Sequence, residues 1–560
     1  MSRFLAAILV LCAVVAPGCE RVRSPDLVFV GGVVHTGVDG DDPAEAVSVL
    51  DGRIVQTGSE NEIRPTAGRD TQIIDLEGAH LYPGFTDSHV HLLGVGEREL
   101  ELNLDRVASI GELVETVAQA GRSLADGQVL FGRGWIETRW PEARFPNRQD
   151  LDRVSQGRPV VLVRADGHAL VANTVALRAA GIDLDHPIQP DGGRIDVDPS
   201  GVATGMLIDN AMALVSGLMA ERSGAELETA YEKGGAVLTQ LGWTGAHNMS
   251  VPVEHVALLN TLSEAGKLPI RLYNAVDVAG VGDLSSDVFG QSKNGLVITR
   301  AVKLYMDGAL GSRGALLAEP YSDRSGEAGL QLSSEAETLV LMREALKAGV
   351  QVAFHAIGDR ANTLVLDWME KAFADLQTLP PARRDPRWRI EHAQILSPDD
   401  TVRFAKLGVV ASMQPSHAIG DLHFAPSRLG PERLDGAYAW RSLIDAGAII
   451  TGGSDAPVEK GDPRIEFYAA VARKDLTGFS TPDWRPEQTV TRAEALKMFT
   501  IWPAYASFRE TELGTIEAGK IADFSVFSGD LLTVPEDEIL SVEPVMTVIG
   551  GRIVWSRNTG

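Results

Sequence analysis

Apolar runs of strand length alternate along the chain with segments of helical periodicity, such as residues 335–348 and 362–376. The β-branched run 297–307 carries Lys303 among apolar neighbours. Three later runs end in a polar side chain: 350–355 in His355, 388–392 in His392, and 448–455 in Asp455. Strands that alternate with helices and carry polar residues at their C-terminal ends predict a parallel α/β barrel with its active site at one mouth.

An earlier apolar run, residues 81–91, breaks at Pro83-Gly84 and ends in His89-Val90-His91. Residues two apart on a strand point to the same face. Two neutral imidazoles on one face can chelate a divalent metal such as zinc. Taken alone, the pair is equally typical of a surface strand with two polar side chains. The polar ends of the later strands favour the metal site.

Short β runs with Gly and Asp-Gly turns occur at both ends of the chain and predict hairpins. Each end alone offers too few strands for a stable unit. We therefore expect the two ends to pair into one small β-sandwich, in which His35 and Asp523 are turn or edge residues. The predicted units are the N-terminal part of the sandwich (20–82), the barrel (83–515) and the C-terminal part of the sandwich (516–560).

A long insert follows the first barrel strand, because the second strand is predicted only near residues 242–247. A βα connection needs far fewer residues, so we expect residues 95–240 to fold over the barrel mouth as a lid. Its His168 is either a substrate contact or oxyanion stabiliser, or a packed histidine that holds the insert. Trp135 either lines an apolar pocket or belongs to the core.

Three further polar residues near the predicted mouth are candidates for substrate binding. Asp307 and Arg313 follow Lys303, and either contact the substrate or brace their loop. Gln414 ends the seventh predicted strand. His417, a little further on, is more typical of a solvated loop.

The N-terminus has the pattern of an export signal, since Arg3 precedes an apolar run and small residues lead to Cys19. The run is too short for a transmembrane helix. A cysteine directly after Gly18 resembles a bacterial lipobox, which predicts residues 1–19 as a lipoprotein-type signal peptide with Cys19 lipidated. A plain secretory signal is the alternative. We expect an exported, membrane-anchored bacterial lipoprotein that faces the periplasm.

The composition narrows the class of protein. A chain of 560 residues with 44% hydrophobic content is long and apolar enough for a barrel, an insert and a small extra domain. A net charge of −25 argues against nucleic acid and against a basic lipid-binding patch. We therefore expect a small-molecule substrate and membrane contact only through Cys19, with a homodimer as a possible assembly.

The motif set resembles the amidohydrolase superfamily and, within it, the YtcJ-like (amidohydrolase-3) family. The resemblance covers nearly all of the chain after the leader. It implies a distorted TIM (β/α)8 barrel with a large insert after strand 1 and a small β-sandwich built from both termini. The matching residues are His89 and His91, Lys303 in KLYMDGALGSR, His355 in HAIGD, Glu391-His392-Ala-Gln394, and Asp455 in GSDAP.

The resemblance also implies a binuclear metal centre. His89, His91 and Asp455 would hold the inner metal, and His355 and His392 the outer metal. A free Lys303 ammonium would repel a metal, whereas in related enzymes the lysine at this position carries CO2 as a carbamate that bridges the two ions. The donor set suits two Zn²⁺ ions, with Mn²⁺, Fe²⁺ or Co²⁺ as alternatives.

Such metals lower the pKa of water and supply hydroxide near neutral pH. The resemblance gives catalytic roles to Lys303, as the bridge, and to Asp455, which accepts a proton as general base and passes it to the leaving amine as general acid. We expect hydrolysis of a non-peptide C–N bond in an amide, N-acyl compound, formamide or cyclic amide. The alternatives are a lactonase, esterase or isomerase on the same scaffold, and a catalytically silent binding lipoprotein.

Overall fold

A computed structural model describes residues 23–125, 127–218, 223–278, 284 and 287–557. The predicted leader and Cys19 lie outside the described residues. Within those residues, no helix combines the length and the apolar character needed to cross a bilayer.

Six short strands and one helix precede the barrel. β1, β3, β4 and β5 form a four-stranded sheet in the order β4-β3-β1-β5, while β2 and β6 join a second sheet. The elements are β1 (Leu27–Val30), β2 (Val33–Val34), β3 (Ala46–Leu50), β4 (Arg53–Gly58), α1 (Glu60–Ile63), β5 (Gln72–Asp75) and β6 (His80–Pro83).

The first barrel strand, β7 (Phe85–Val90), follows β6 after the single residue Gly84 and leads into α2 (Leu92–Arg98). An insert with its own six-stranded sheet comes next, in the order β12-β13-β11-β10-β9-β8. Its elements are β8 (Leu102–Asn103), α3 (Ile110–Gly121), β9 (Leu130–Trp135), α4 (Arg148–Asp152), β10 (Val160–Arg164), β11 (Ala169–Ala172), α5 (Thr174–Ala179), β12 (Gly193–Val197) and β13 (Ala203–Asp209).

The remaining barrel strands alternate with helices, as the hydrophobic pattern predicts. Several helices end at a glycine with positive φ, for example α8 at Gly349 and α10 at Gly408, where a left-handed residue closes the last turn. The elements are α6 (Gly224–Leu241), β14 (Trp243–Val251), α7 (Val256–Glu264), β15 (Arg271–Asp277), β16 (Gly290–Gln291), β17 (Val297–Tyr305), α8 (Glu335–Ala348), β18 (Gln351–Ala356), α9 (Asp359–Phe373), β19 (Arg389–His392), α10 (Pro398–Leu407), β20 (Val410–Met413), α11 (Pro415–Asp421), α12 (Ala425–Leu429), α13 (Trp440–Asp445), β21 (Ile450–Gly452), α14 (Pro463–Ala472), α15 (Arg492–Phe499) and α16 (Ile501–Ala506).

Eight parallel strands form a nearly closed barrel in the order β7-β14-β15-β17-β18-β19-β20-β21. The backbone beyond β21 completes the ring. The amide of Asp455 donates to the carbonyl of His89 at 2.6 Å, and the amide of His91 donates to the carbonyl of Ala456 at 2.8 Å. The predicted fold class, a distorted TIM barrel, is confirmed.

The C-terminal strands return to the N-terminal ones. β22 (Phe524–Phe527), β23 (Pro544–Ile549) and β24 (Arg552–Ser556) extend the second sheet to the order β2-β6-β22-β23-β24. Leu81 and Phe524 lie in the apolar core that the two sheets share. Both ends of the chain therefore build the sandwich, and they do so directly beside the start of the barrel.

Candidate metal centre

The two histidines of the first barrel strand reach the mouth from different backbone conformations. His89 lies within β7, whereas His91 lies one residue beyond the strand and precedes α2 with φ −105° and ψ 85°. The expectation that both lie on one strand is therefore wrong for His91. Their ring centroids are nevertheless only 5.5 Å apart, because the turn into α2 keeps the second ring at the barrel mouth.

Asp455 completes a three-residue group with these histidines. Its Oδ1 atom lies 3.5 Å from Nε2 of His89 and 3.2 Å from Nε2 of His91. One donor atom from each residue lies within 4.8 Å of the others. The C-terminal ends of the first and last barrel strands and the residues just beyond them therefore bring two imidazoles and one carboxylate together.

His355 and His392 lie next to this group. Their ring centroids are 4.5 Å apart, and the ring of His392 is 4.8 Å from that of His89. His392 and Asp455 both have positive φ, 75° and 57°. Left-handed backbone is costly for such residues and clusters at functional sites. Here each occurs where the chain leaves its strand.

His417 belongs to the same cluster, although we expected it in a solvated loop. Its Nε2 lies 3.7 Å from Oδ2 of Asp455. Donor atoms of His392, His417 and Asp455 also lie within 4.8 Å of one another. The structure thus offers His417 as well as His355 for a second ion. Sequence reasoning missed it because His417 lies in α11 (Pro415–Asp421), and its contact with Asp455 depends on tertiary packing.

The residues present fit a divalent metal. Nε2 of His355 is buried and has no hydrogen-bond partner among the described residues, a costly state for a polar atom unless something else binds it. Burial lowers the pKa of His89 to about 4 and that of His392 well below its ordinary value. These two imidazoles are therefore neutral at pH 7, which is the form that binds metals.

A set of hydrogen bonds orients the rings by their Nδ1 atoms. Nδ1 of His89 lies 2.6 Å from Glu391, Nδ1 of His91 lies 3.2 Å from the carbonyl of Met249, and Nδ1 of His392 lies 2.8 Å from Oε1 of Gln414. Each contact leaves Nε2 for the site. Gln414, a candidate for substrate binding, is thus placed to orient His392.

Lys303 lies on β17 with its Nζ atom 3.5 Å from Nε2 of His89. The side chain is buried, and burial lowers the pKa of Lys303 to about 8 although Glu391 and Asp455 raise it. A neutral amine is therefore accessible near neutral pH. The position and the depressed pKa are both compatible with a lysine that reacts with CO2.

Two substrate-binding candidates, Arg313 and Trp135, lie away from the cluster, whereas Oδ1 of Asp307 lies 3.5 Å from Nε2 of His355. Asp307 is buried and accepts hydrogen bonds from the amides of Ile357 and Gly358 at 3.0 and 2.8 Å, so it braces the loop after His355. Arg313 pairs with Asp323 at 2.9 Å. Trp135 is fully buried in the core of the insert, where its indole donates to the carbonyl of Leu162 at 2.9 Å.

His168 brings the insert into the mouth. Its ring centroid is 5.2 Å from that of His355, and its Nδ1 lies 2.8 Å from Oδ1 of Asp209. Burial lowers the pKa of His168, but the Asp209 carboxylate outweighs this, so the pKa is raised overall. Asp209 packs closely against Gly308. A Cβ atom at position 308 would lie only 2.6 Å from Oδ1 of Asp209, so a larger residue there would displace the pair. The insert therefore supplies a basic imidazole.

A cavity of about 370 Å³ opens over the cluster, within the size range of small-molecule sites. Arg133, on β9 of the insert, lines it together with His168, Tyr305 and Asp455. The Nε atom of Arg133 is buried and has no hydrogen-bond partner among the described residues. Burial also lowers its pKa. Sequence reasoning did not single out Arg133, because only the docking of the insert brings it to the mouth.

Comparison with known proteins gives consistent matches. A family model described as the amidohydrolase family matches residues 72–555. YtcJ of Bacillus subtilis, which is named as an amidohydrolase, is 34% identical over 540 residues, covering 95% of this chain and 99% of YtcJ. The N-substituted formamide deformylase of Arthrobacter pascens is 29% identical, covering 95% and 98%.

A solved structure is also similar. It is the crystal structure of an uncharacterized metal-dependent hydrolase from Pyrococcus horikoshii. The sequence identity is 26% and the TM-score is 0.73, with 91% of this chain and 99% of that chain covered.

Proposed function

The chain belongs to the amidohydrolase family, and we propose that it hydrolyses a non-peptide C–N bond of a small amide at a centre of two zinc ions. The observation that carries the proposal is the convergence of His89, His91 and Asp455 within 4.8 Å beneath a cavity. Their imidazole and carboxylate atoms are the ligand types that zinc prefers.

His89, His91 and Asp455 would hold one ion, and His355 and His392 the other, with His417 within reach of the second position. When bound, such ions lower the pKa of water and polarise a carbonyl group. The buried Nε2 atom of His355, which has no hydrogen-bond partner among the described residues, supports this assignment.

Asp455 moves the proton. The surrounding histidines hold the pKa of Asp455 well below its usual range although burial raises it, so the carboxylate is ionised. It accepts a proton from the attacking water as the C–O bond forms. It returns that proton to the nitrogen as the C–N bond breaks, so that the products are a carboxylic acid and an amine.

His168 faces the same cavity and is positioned by Asp209. An imidazole with a raised pKa can stabilise negative charge that develops on the carbonyl oxygen. We assign it this role, which agrees with its place 5.2 Å from the ring of His355.

Lys303 is proposed to bridge the two ions as a carbamate. Its buried amine lies beside His89 and is partly neutral near pH 8. Carbamate formation joins the amine to CO2 and releases one proton. The product is an anion, and it replaces a cation that the metal site would repel.

Arg133 narrows the substrate class. A guanidinium in the cavity wall suits a substrate oxygen, either a carboxylate or a second carbonyl. We therefore propose an N-formyl or N-acyl compound, or a cyclic imide, that carries such an oxygen. The formamide deformylase relative makes N-formyl compounds the first to test.

The test is a panel of N-formyl, N-acyl, cyclic-imide, ester and lactone substrates, assayed with measurement of bound metal. We expect C–N hydrolysis that is lost on removal of the metal and in Asp455→Asn. The control is Asp367→Asn, which removes a carboxylate that pairs with Arg403 on the barrel exterior. Turnover confined to esters or lactones, or full activity in Asp455→Asn, would overturn the proposal.

We further propose export through the leader and anchoring at Cys19. The support is the sequence pattern of residues 1–19. The mass of the N-terminal peptide after expression in a bacterial host tests this. A diacylated Cys19 supports the anchor, whereas a free N-terminus beyond Cys19 indicates a plain secretory signal.

A further inference from the structure

A second group of metal-binding side chains lies in the β-sandwich, outside the catalytic cavity. His35 follows β2, His80 begins β6 and Asp530 follows β22. One donor atom from each residue lies within 4.8 Å of the others. None of the three has a role in the reaction described above.

The distances match those of a chelate. Nε2 of His35 lies 3.0 Å from Nδ1 of His80 and 3.5 Å from Oδ1 of Asp530. Two ligand atoms that are each about 2.0–2.1 Å from a tetrahedral ion lie roughly 3.3 Å apart. The two observed distances lie on either side of that value. We propose that His35, His80 and Asp530 bind a divalent cation, with Zn²⁺ as the best match and water as a fourth ligand.

A hydrogen bond between the two rings would explain the 3.0 Å distance by itself. It leaves a carboxylate oxygen of Asp530 at 3.5 Å from the same nitrogen of His35, a distance too long for an ordinary N–H···O hydrogen bond. One cation between them would be bound by all three atoms. The side chains of His35 and Asp530 are 6% and 17% exposed, so the cluster is sheltered but close enough to solvent for an ion and a water ligand to enter.

The surroundings hold the ligands in place. Oδ1 of Asp530 accepts hydrogen bonds from the Tyr82 hydroxyl and the Leu532 amide, both at 2.9 Å. The ring of His35 stacks on Tyr82 with centroids 4.4 Å apart and planes 5° apart. Metal ligands are commonly oriented by such contacts.

The protonation states also suit a metal. Burial lowers the pKa of His35 to about 4 and lowers that of His80 as well. The pKa of Asp530 is lowered, although burial raises it, because the Leu532 amide and neighbouring hydroxyls stabilise the carboxylate. At neutral pH the site therefore holds two neutral imidazoles and one anion, which is the ligand form of each group.

The position of the site gives it a structural role. β2 pairs with β6 in parallel, and β6 pairs with β22 in antiparallel fashion, with His80 opposite Phe527. A bound ion would link the N-terminal strands that carry His35 and His80 to the C-terminal segment that carries Asp530. It would therefore stabilise the sandwich by binding only the folded arrangement.

The experiment measures the number of zinc ions that the purified protein binds. The protein is stripped with a chelator and titrated with Zn²⁺ against a chromophoric competitor. The test variants are His80→Gln and Asp530→Asn, and the matched control is His186→Gln, an exposed histidine of the insert. We expect each test variant to bind one equivalent fewer than the wild type and the control. The zinc-dependent rise in Tm should also be smaller in the test variants.

The catalytic centre provides an independent readout. Neither His80 nor Asp530 lines the catalytic cavity. With metal bound at the barrel centre, the turnover of both test variants should therefore equal that of the wild type. Crystals of the wild-type protein soaked in Zn²⁺ should show an anomalous peak at the zinc edge between the three side chains. Equal zinc stoichiometry in all four proteins, or no anomalous peak at this point, would overturn the proposal. Neither result depends on identifying the substrate.

Discussion

Nδ1 of His89 lies 2.6 Å from the Glu391 carboxylate, and neither side chain exposes any surface. The Arg389 guanidinium, 2.7 Å from the other oxygen of Glu391, holds the pKa of this carboxyl well below its usual range although burial raises it. An ionised Glu391 fixes the hydrogen of His89 on Nδ1. The lone pair of Nε2 then faces Lys303 and Asp455.

Glu391→Gln should weaken zinc binding by roughly 10- to 100-fold, the usual cost of removing such an orienting partner. A neutral amide neither enforces the tautomer of His89 nor raises the basicity of Nε2. Competition titration with a chelator measures the effect. Glu370→Gln, on the exposed surface of α9, is the control. Unchanged affinity in Glu391→Gln would show that His89 needs no such partner.

Lys303→Ala should lose bound zinc and activity, because it removes the proposed bridging anion. Formate or acetate should restore part of both, since a short carboxylate can occupy the space of the missing group. Metal analysis and turnover, each with and without the added carboxylate, provide the measurement. Lys371→Ala is the control, because that lysine pairs with Glu335 at the surface. Full zinc content in Lys303→Ala would refute the carbamate.

Arg133→Gln should raise KM by about 10-fold or more for substrates with a carboxylate or second carbonyl, because a charge-assisted hydrogen bond is lost. A simple amide without that group should be affected far less. The split between KM and kcat distinguishes binding from catalysis. Arg343→Gln, on the exterior of α8, is the control. An equal effect on both classes of substrate would contradict direct recognition by Arg133.

Asp421 predicts a pH dependence of stability. Burial raises its pKa from 3.8 to about 7, although the Tyr438 hydroxyl lowers it. Between those values the folded state binds more protons than the unfolded state, so the free energy of unfolding falls as pH rises. Asp421→Asn removes this contribution. Over this pH range the free energy of unfolding of the variant should therefore fall less than that of the wild type, by on the order of 2–4 kcal/mol.

Denaturant unfolding of the metal-free proteins at several values between about pH 4 and pH 7 measures the difference. The amide oxygen that Asp421→Asn introduces can still accept the hydrogen bond of the Tyr438 hydroxyl, so packing is retained. Parallel pH profiles in the variant and the wild type would mean that Asp421 is ionised throughout the range.

The barrel could be predicted from the sequence because the patterns that specify its strands and helices lie within short segments of the chain. The strand around Lys303 is a β-branched run, and the helix that ends at Gly349 has a clear apolar period and a glycine cap. His355, His392 and Asp455 each come at the end of such a run. Parallel strands carry these ends to one mouth whatever the details of packing.

The rest depends on tertiary contacts that no local pattern encodes. Arg133 and Asp209 reach the mouth only because the insert docks there, and Asp209 lies against Gly308 of the loop after β17. The orientation of His89 depends on Glu391, which is 302 positions away. His35 follows the edge strand β2, as expected, but its contact with Asp530 joins the two ends of the chain.

The way the sandwich closes has a consequence for the order of events during synthesis. The amide of Gly84 donates to the carbonyl of Asp523, and the amide of Phe85 donates to the hydroxyl of Ser525, so the root of β7 is held by residues translated more than 400 positions later. A ribosome delivers the C-terminal strands last, and N-terminal units ordinarily fold first. Here the two hydrogen bonds at the start of the strand that carries His89 can form only after the C-terminal strands have been synthesised. In a protein that is exported unfolded, these contacts would form in the receiving compartment. The metal ions available in that compartment would then occupy the site.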